Sequence, residues 1–282
     1  MQKRFWIVLG AFMSVGLLVA GLLYSKPSAA APTISWAPSS ITRAVVPGQT
    51  QVVPASFTAS ENISNAVVRV DPALQSVVKL LPANLANVQK GQTVTLSIVL
   101  SASPTALPGS FQGAIRLLVG STTILEPLPV TVSAVWPTFD TSNDVGITVV
   151  YPPTWYATTK ENESLVVFRN VEQPGPPSEL KFQTEAAFHI FRRAGWNPLL
   201  LSIADWFARF SAGGFATQIE SQGLVVVNGR NAVRIVDSEI GGDRVHIYIP
   251  DNGDIVEVSY GLYAPQFVAD YEAMLNSITV NK

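Results

Sequence analysis

His189 and His246 are the two imidazoles of this chain, which has no cysteine. Each sits in a strand-like run, Phe188-His189-Ile190 and Val245-His246-Ile247. A period of two there puts the imidazole on the face opposite its apolar neighbours. If the two strands pair, the imidazoles and an acidic neighbour would make a metal site. Their spacing contains no ligand motif, and hydrogen-bonded or surface histidines are the plainer reading. Asp251-Asn252-Gly253-Asp254 offers two carboxylates, as a calcium loop would. The further oxygen ligands and terminal Glu of such a loop are missing, and a tight hairpin turn accounts for the stretch. No Gly-x-Ser-x-Gly elbow or phosphate-cradling glycine motif occurs. Without cysteine there is no thiolate nucleophile, disulfide, iron–sulfur cluster or cysteine zinc site. The sequence therefore predicts no catalytic residue, no metal ligand set and no cofactor; a hydrolase of another type is the third-ranked reading.

Binding chemistry is better represented. Aromatics fall beside loops or at element ends at Trp155, Tyr156, Trp196, Phe215 and Tyr263. Arg192 and Arg193 precede Trp196. Aromatic and Arg side chains are the usual anchors of binding surfaces. The competing reading of the same seven residues is ordinary packing with a solvated Arg pair. Residues 138–282 carry ten basic against seventeen acidic side chains, a net of −7. That field repels phosphate backbones, so nucleic acid is not an expected partner.

Three segments must position these residues. In residues 1–31, Lys3 and Arg4 precede an uncharged apolar run over 5–24, long enough as a helix to span a bilayer core. It reads as a transmembrane anchor, or as a signal peptide cleaved near Ala30. Either reading places the rest of the chain outside the cytoplasm, periplasmic or secreted. Residues 32–136 alternate strand runs with turn signals. Thr93–Leu100 puts Val94, Leu96, Ile98 and Leu100 on one face, and turns fall at Pro47-Gly48 and Pro108-Gly109. About seven strands fit an all-β sandwich. "PGSFQGAIRL" at 108–117 resembles the penultimate strand of bacterial Ig-like modules, which implies a spacer or adhesion unit.

Residues 137–282 mix both element types. Strands are expected at 147–151, 164–169 and 185–191. Asn197 and Pro198 open a helix that Gly213-Gly214 closes. Asn228-Gly229 and Asp251-Asn252-Gly253 turn two hairpins, and a helix covers 265–278. The expected architecture is an α+β domain, an antiparallel sheet flanked by helices. Tyr151, Pro152 and Trp155, then "VNGRNAVRI" (227–235) and "FVADYEAMLNSI" (267–278), resemble the PsbP-like family. The resemblance implies an accessory domain that docks on a membrane complex, and no ligand residue carries over. The leading expectation is thus a non-catalytic, membrane-associated interaction protein, the sandwich spacing a binding domain. The alternative is an extracytoplasmic small-ligand or metal-binding protein.

Overall fold

A computed structural model describes residues 32–119, 122–123, 126–141, 145–160, 164–172, 185–212, 219–239 and 242–281. The first ten strands are β1 (Ile34–Ala37), β2 (Ile41–Val45), β3 (Thr50–Ala59), β4 (Ala66–Val70), β5 (Val78–Leu81), β6 (Asn84–Leu85), β7 (Thr93–Ser101), β8 (Gly109–Val119), β9 (Thr122–Thr123) and β10 (Leu128–Ala134). One sheet runs β1-β3-β7-β5. The other runs β2-β10-β8-β4-β6, with β9 paired to β8. Alternation explains the sandwich: Leu96, Ile98 and Leu100 of β7 are fully buried, as is every second residue of β3 from Val53 to Ala59. They share one core with Ile115, Leu117, Val130 and Val132 of the other sheet. Between β4 and β5 the chain makes a 3-10 turn at Pro72–Leu74.

The second half has its own buried clusters, drawn from residues 136–280. Trp136 caps the junction, its indole N–H donating to Ala106 O at 3.0 Å. Strands β11 (Thr138–Asp140), β12 (Ile147–Val150) and β20 (Thr279–Val280) form a small sheet. The remainder are β13 (Tyr156–Lys160), β14 (Leu165–Arg169), β15 (Ala187–Arg193), β16 (Ile219–Val227), β17 (Arg230–Glu239), β18 (Gly242–Asp251) and β19 (Asp254–Gly261). They make an antiparallel seven-stranded sheet in the order β13-β14-β15-β19-β18-β17-β16. Both hairpins turn on Asn-Gly pairs with positive φ: 45° and 79° at Asn228-Gly229, 47° and 91° at Asn252-Gly253. Gly at the second position makes that left-handed geometry cheap.

Helix is sparse. α1 (Ile203–Ala212) and α2 (Val268–Ser277) are ten residues each, and the chain is mainly strand. The expected α+β domain with helix-flanked sheet, on the PsbP-like plan, is corrected accordingly. The physical reason is visible in the segment expected to be helical from Asn197. Leu200 adopts φ +53°, and the Asn197 amide closes a turn on Leu201, accepting its N–H at 2.9 Å and donating to its C=O at 3.0 Å. Helix starts only after Ser202, an N-cap whose Oγ accepts the Asp205 N–H at 3.2 Å and donates to the Asp205 carboxylate at 2.6 Å. At the other end Pro265–Phe267 forms a 3-10 turn, which leaves α2 shorter than expected.

The membrane expectation is corrected too. Among the described residues no helix is long and apolar enough to cross a membrane. Residues 1–31, which carried the anchor and signal readings, lie outside the described residues, and no extracytoplasmic or periplasmic placement follows from the structure.

Candidate functional site

The two faces of the seven-stranded sheet differ in chemistry. One face presents Val166, Phe168, Phe188, Ile190, Val245, Ile247, Val256, Val258 and Tyr260 to α2 and the small sheet. Tyr260 and Tyr271 stack there at 4.7 Å between centroids, and Phe188 stacks on Tyr260 at 5.8 Å. Burial pushes the Tyr260 and Tyr271 hydroxyls well above the ordinary tyrosine range. This face is a core.

The other face carries the polar groups. Cross-strand register lines up Val167, His189, Ser259, His246 and Ile235 in one row. The next row is Leu165, Phe191, Glu257, Tyr248 and Val233. The two histidines thus flank Ser259 from either side, two strand spacings apart, about 10 Å between backbones. Among the described residues no group of three or more His, Asp or Glu side chains converges on a metal-sized space. His246 turns instead to carboxylates: Nδ1 lies 2.9 Å from Glu257 Oε1, and Nε2 lies 3.5 Å from Asp237 Oδ1. Glu257 also accepts from Arg193 Nε at 2.7 Å. A diagonal of polar side chains, Arg193, Glu257, His246 and Asp237, crosses four strands. Burial opposes ionisation of Glu257, yet His246 and Arg193 hold its carboxyl below the usual range. Arg193 also lies over two rings, Phe191 at 4.2 Å and Trp196 at 5.2 Å.

Helix α1 covers part of this face. Ile203, Trp206 and Phe207 pack on Val233, Ile235, Tyr248 and Ile255. The Trp206 indole N–H donates to Trp196 O at 2.7 Å, which pins the 196–201 loop beside the helix. A groove of about 250 Å³ opens between that loop and α1, lined by Trp196, Asn197, Leu199, Trp206, Arg209 and Phe210. Trp206 and Phe210 stack at 4.7 Å and form its wall. Arg209 is exposed at its rim, with no ion pair shown among the described residues. A second groove, about 440 Å³, runs along the opposite side of α1 to Leu224 of β16. Both are shallow channels along a helix rather than enclosed cavities.

Of the seven residues singled out from sequence, the structure brings Arg193 and Trp196 together at this site. Trp155 is core, edge-on to Phe267 and Tyr271 at 5.7 Å each. Tyr156 is exposed on the far edge strand, β13. Arg192, next to Arg193, points to the opposite face. It donates to Val145 O at 2.6 Å, Asp251 at 2.7 Å and Asp254 at 2.8 Å. Tyr263 lays its ring over Gly261, where a Cβ would run into it. Gly261→Ala is therefore expected to push the half-exposed Tyr263 ring aside at a cost of about 1 kcal/mol, read as a slightly lowered urea midpoint. Phe215 lies outside the described residues. Trp206, Arg209 and Phe210 lie within the stretch expected from sequence to be helical. Their place in a groove depends on where the 196–201 loop stops and the helix begins, and Ser202 as N-cap was the signal for that.

Comparisons with known proteins add little. No protein-family model matches this chain, and neither does any curated protein. Among solved structures, a Pseudomonas aeruginosa protein of unknown function described as a putative regulator is 15% identical, with a TM-score of 0.31, covering 50% of this chain and 93% of its own. A Porphyromonas gingivalis protein of unknown function is 10% identical with a TM-score of 0.33, covering 84% and 85%. The Pseudomonas aeruginosa CupB2 chaperone is 11% identical with a TM-score of 0.25, covering 79% and 97%. Likeness this low decides neither fold nor function, and the reading of this chain rests on its own geometry.

Proposed function

We propose that this protein is a non-catalytic binding module. The sandwich spaces a docking face on the seven-stranded sheet, and the groove beside α1 takes an extended segment of a partner protein. The observation that carries this reading is an aromatic-walled groove with Arg209 at its rim. A flat apolar or aromatic residue fits against the stacked Trp206–Phe210 wall, and a carboxylate fits Arg209. The neighbouring polar groups favour binding over catalysis, because Glu257, His246 and Arg193 are engaged with one another. A shallow channel suits a peptide strand better than a small molecule, which needs most of its surface enclosed.

The test is peptide display selection against the full chain, followed by fluorescence anisotropy on the selected peptides. Peptides with an aromatic residue near a carboxylate are expected to dominate. Arg209→Glu is expected to weaken their binding by at least about tenfold, the scale of one hot-spot charge contact. Selected peptides that bind Arg209→Glu and Phe210→Ala as well as the parent chain would overturn the reading.

A further inference from the structure

The outer edge of the sheet carries a second surface. Strand β16 is nine residues long and, among the described residues, pairs on one side only, with β17. Leu224 and Val226 are 67% and 64% exposed there. Sheet edges are ordinarily guarded by charge, proline, bulges or brevity. The opposite edge, β13, has five residues and ends in Lys160. On β16 the one irregularity lies at Ile219/Ser221, and Ser221 to Gly229 contains no charge and no proline.

The hairpin fixes which backbone groups are free. The two-residue turn at Asn228-Gly229 makes Val227 and Arg230 a hydrogen-bonded pair, and bonded pairs alternate along the ladder. Val227, Val225 and Gly223 therefore bond inward, while Gln222, Leu224 and Val226 turn their N–H and C=O outward. These three positions are symmetric about Leu224. We propose that β16 pairs antiparallel with β16 of a second copy of this chain, with Leu224 on the twofold axis, so that two seven-stranded sheets become one.

Self-pairing satisfies every constraint the edge presents. Gln222, Leu224 and Val226 meet Val226, Leu224 and Gln222 of the copy, which forms about six main-chain hydrogen bonds. Leu224 meets its own equivalent above the groove beside α1. On the reverse face Gly223 falls opposite Val225 of the copy, and the space a side chain would fill at Gly223 is open. Charge decides for a copy of this register. The second half carries a net of −7, yet the paired stretch is neutral, and Glu220 lands opposite Asn228 rather than another acid. The contact is isologous, so it closes at two copies. The groove of Trp196 and Arg209 lies on the other side of α1 and stays open.

The absence of native cysteine makes the register directly testable. Across a bonded antiparallel pair the Cα atoms lie about 5.5 Å apart, within disulfide range. Full-length Leu224→Cys is expected to form a disulfide-linked dimer under mild oxidation. A mixture of Gln222→Cys and Val226→Cys is expected to cross-link as readily, and Tyr156→Cys, on the other edge, to stay at least tenfold less linked. Light scattering is expected to give twice the 30.2 kDa chain mass for the parent protein. The Leu224→Lys/Val226→Lys variant, folded by circular dichroism, is expected to be monomeric. A monomeric parent chain, no cross-link at Leu224→Cys, or equal cross-linking at Tyr156→Cys would each overturn the proposal, the last by showing association through another surface.

Discussion

Arg192→Ala is expected to destabilise the second half of the chain by about 3–5 kcal/mol, the usual cost of removing one partner from a buried ion pair. Its guanidinium reaches three acceptors: Val145 O before β12, Asp251 at the end of β18 and Asp254 at the start of β19. Asp251 is 5% exposed. Without Arg192 its partner is Arg230, at 3.3 Å, and a buried carboxylate held by one longer contact carries most of its desolvation cost uncompensated. The loss also frees the turn at Val145, so the small sheet loosens with the hairpin. Hydrogen exchange at Val256 and Val258 is the suitable readout, because a chain with separate cores need not unfold in one step. Faster exchange there, with peptide binding at the α1 groove retained in the surviving folded fraction, is the expected pattern. Unchanged exchange with lost binding would return Arg192 to the binding surface that the sequence suggested.

The second large effect is on acid stability. Burial, followed by the positive charges of Arg244, Arg169 and Lys160, lowers the His189 imidazole from 6.5 to about 4. Glu257 opposes this weakly. A depressed folded value means that the folded state resists protonation. Stability is therefore full above pH 6.5 and falls as the unfolded chain takes up a proton, until the folded value near 4 is reached. At about 1.4 kcal/mol per unit the loss across this window is roughly 3 kcal/mol. The carboxylates held low by partners add their losses at the acidic end, Glu257 as pH falls through 4.5 and Asp71 and Asp254 through 3.8. Urea midpoints at pH 7.5 and 4.5 are expected to diverge for the parent chain. His189→Gln, which cannot charge, is expected to remove most of that divergence. An equal divergence in His189→Gln would show that another group carries the acid limb.

How much of this was legible beforehand differs by residue. Alternation alone put Leu96, Ile98 and Leu100 on one buried face, and it set both histidines opposite Phe188, Ile190, Val245 and Ile247. Asn228-Gly229 announced its hairpin because few dipeptides adopt two successive positive φ angles cheaply. Those are local properties, carried by a residue and its immediate neighbours. Helix α1 is shorter than its local sequence suggests, because Asn197 and Pro198 are good helix openers in isolation. Leu200 in the left-handed region and the Ser202–Asp205 cap moved the start by several residues.

Strand pairing was beyond the sequence, since it joins segments far apart in the chain. Register placed Ser259 between the two histidines and Glu257 between Arg193 and His246, so His246 met a carboxylate instead of the other imidazole. It also sent Arg192 and Arg193, adjacent and chemically identical, to opposite faces with opposite duties. Periodicity, turns and composition are local and are written in the order of residues. Which side chains meet is settled by strand pairing, because a one-residue change of register exchanges every residue between the two faces of a sheet.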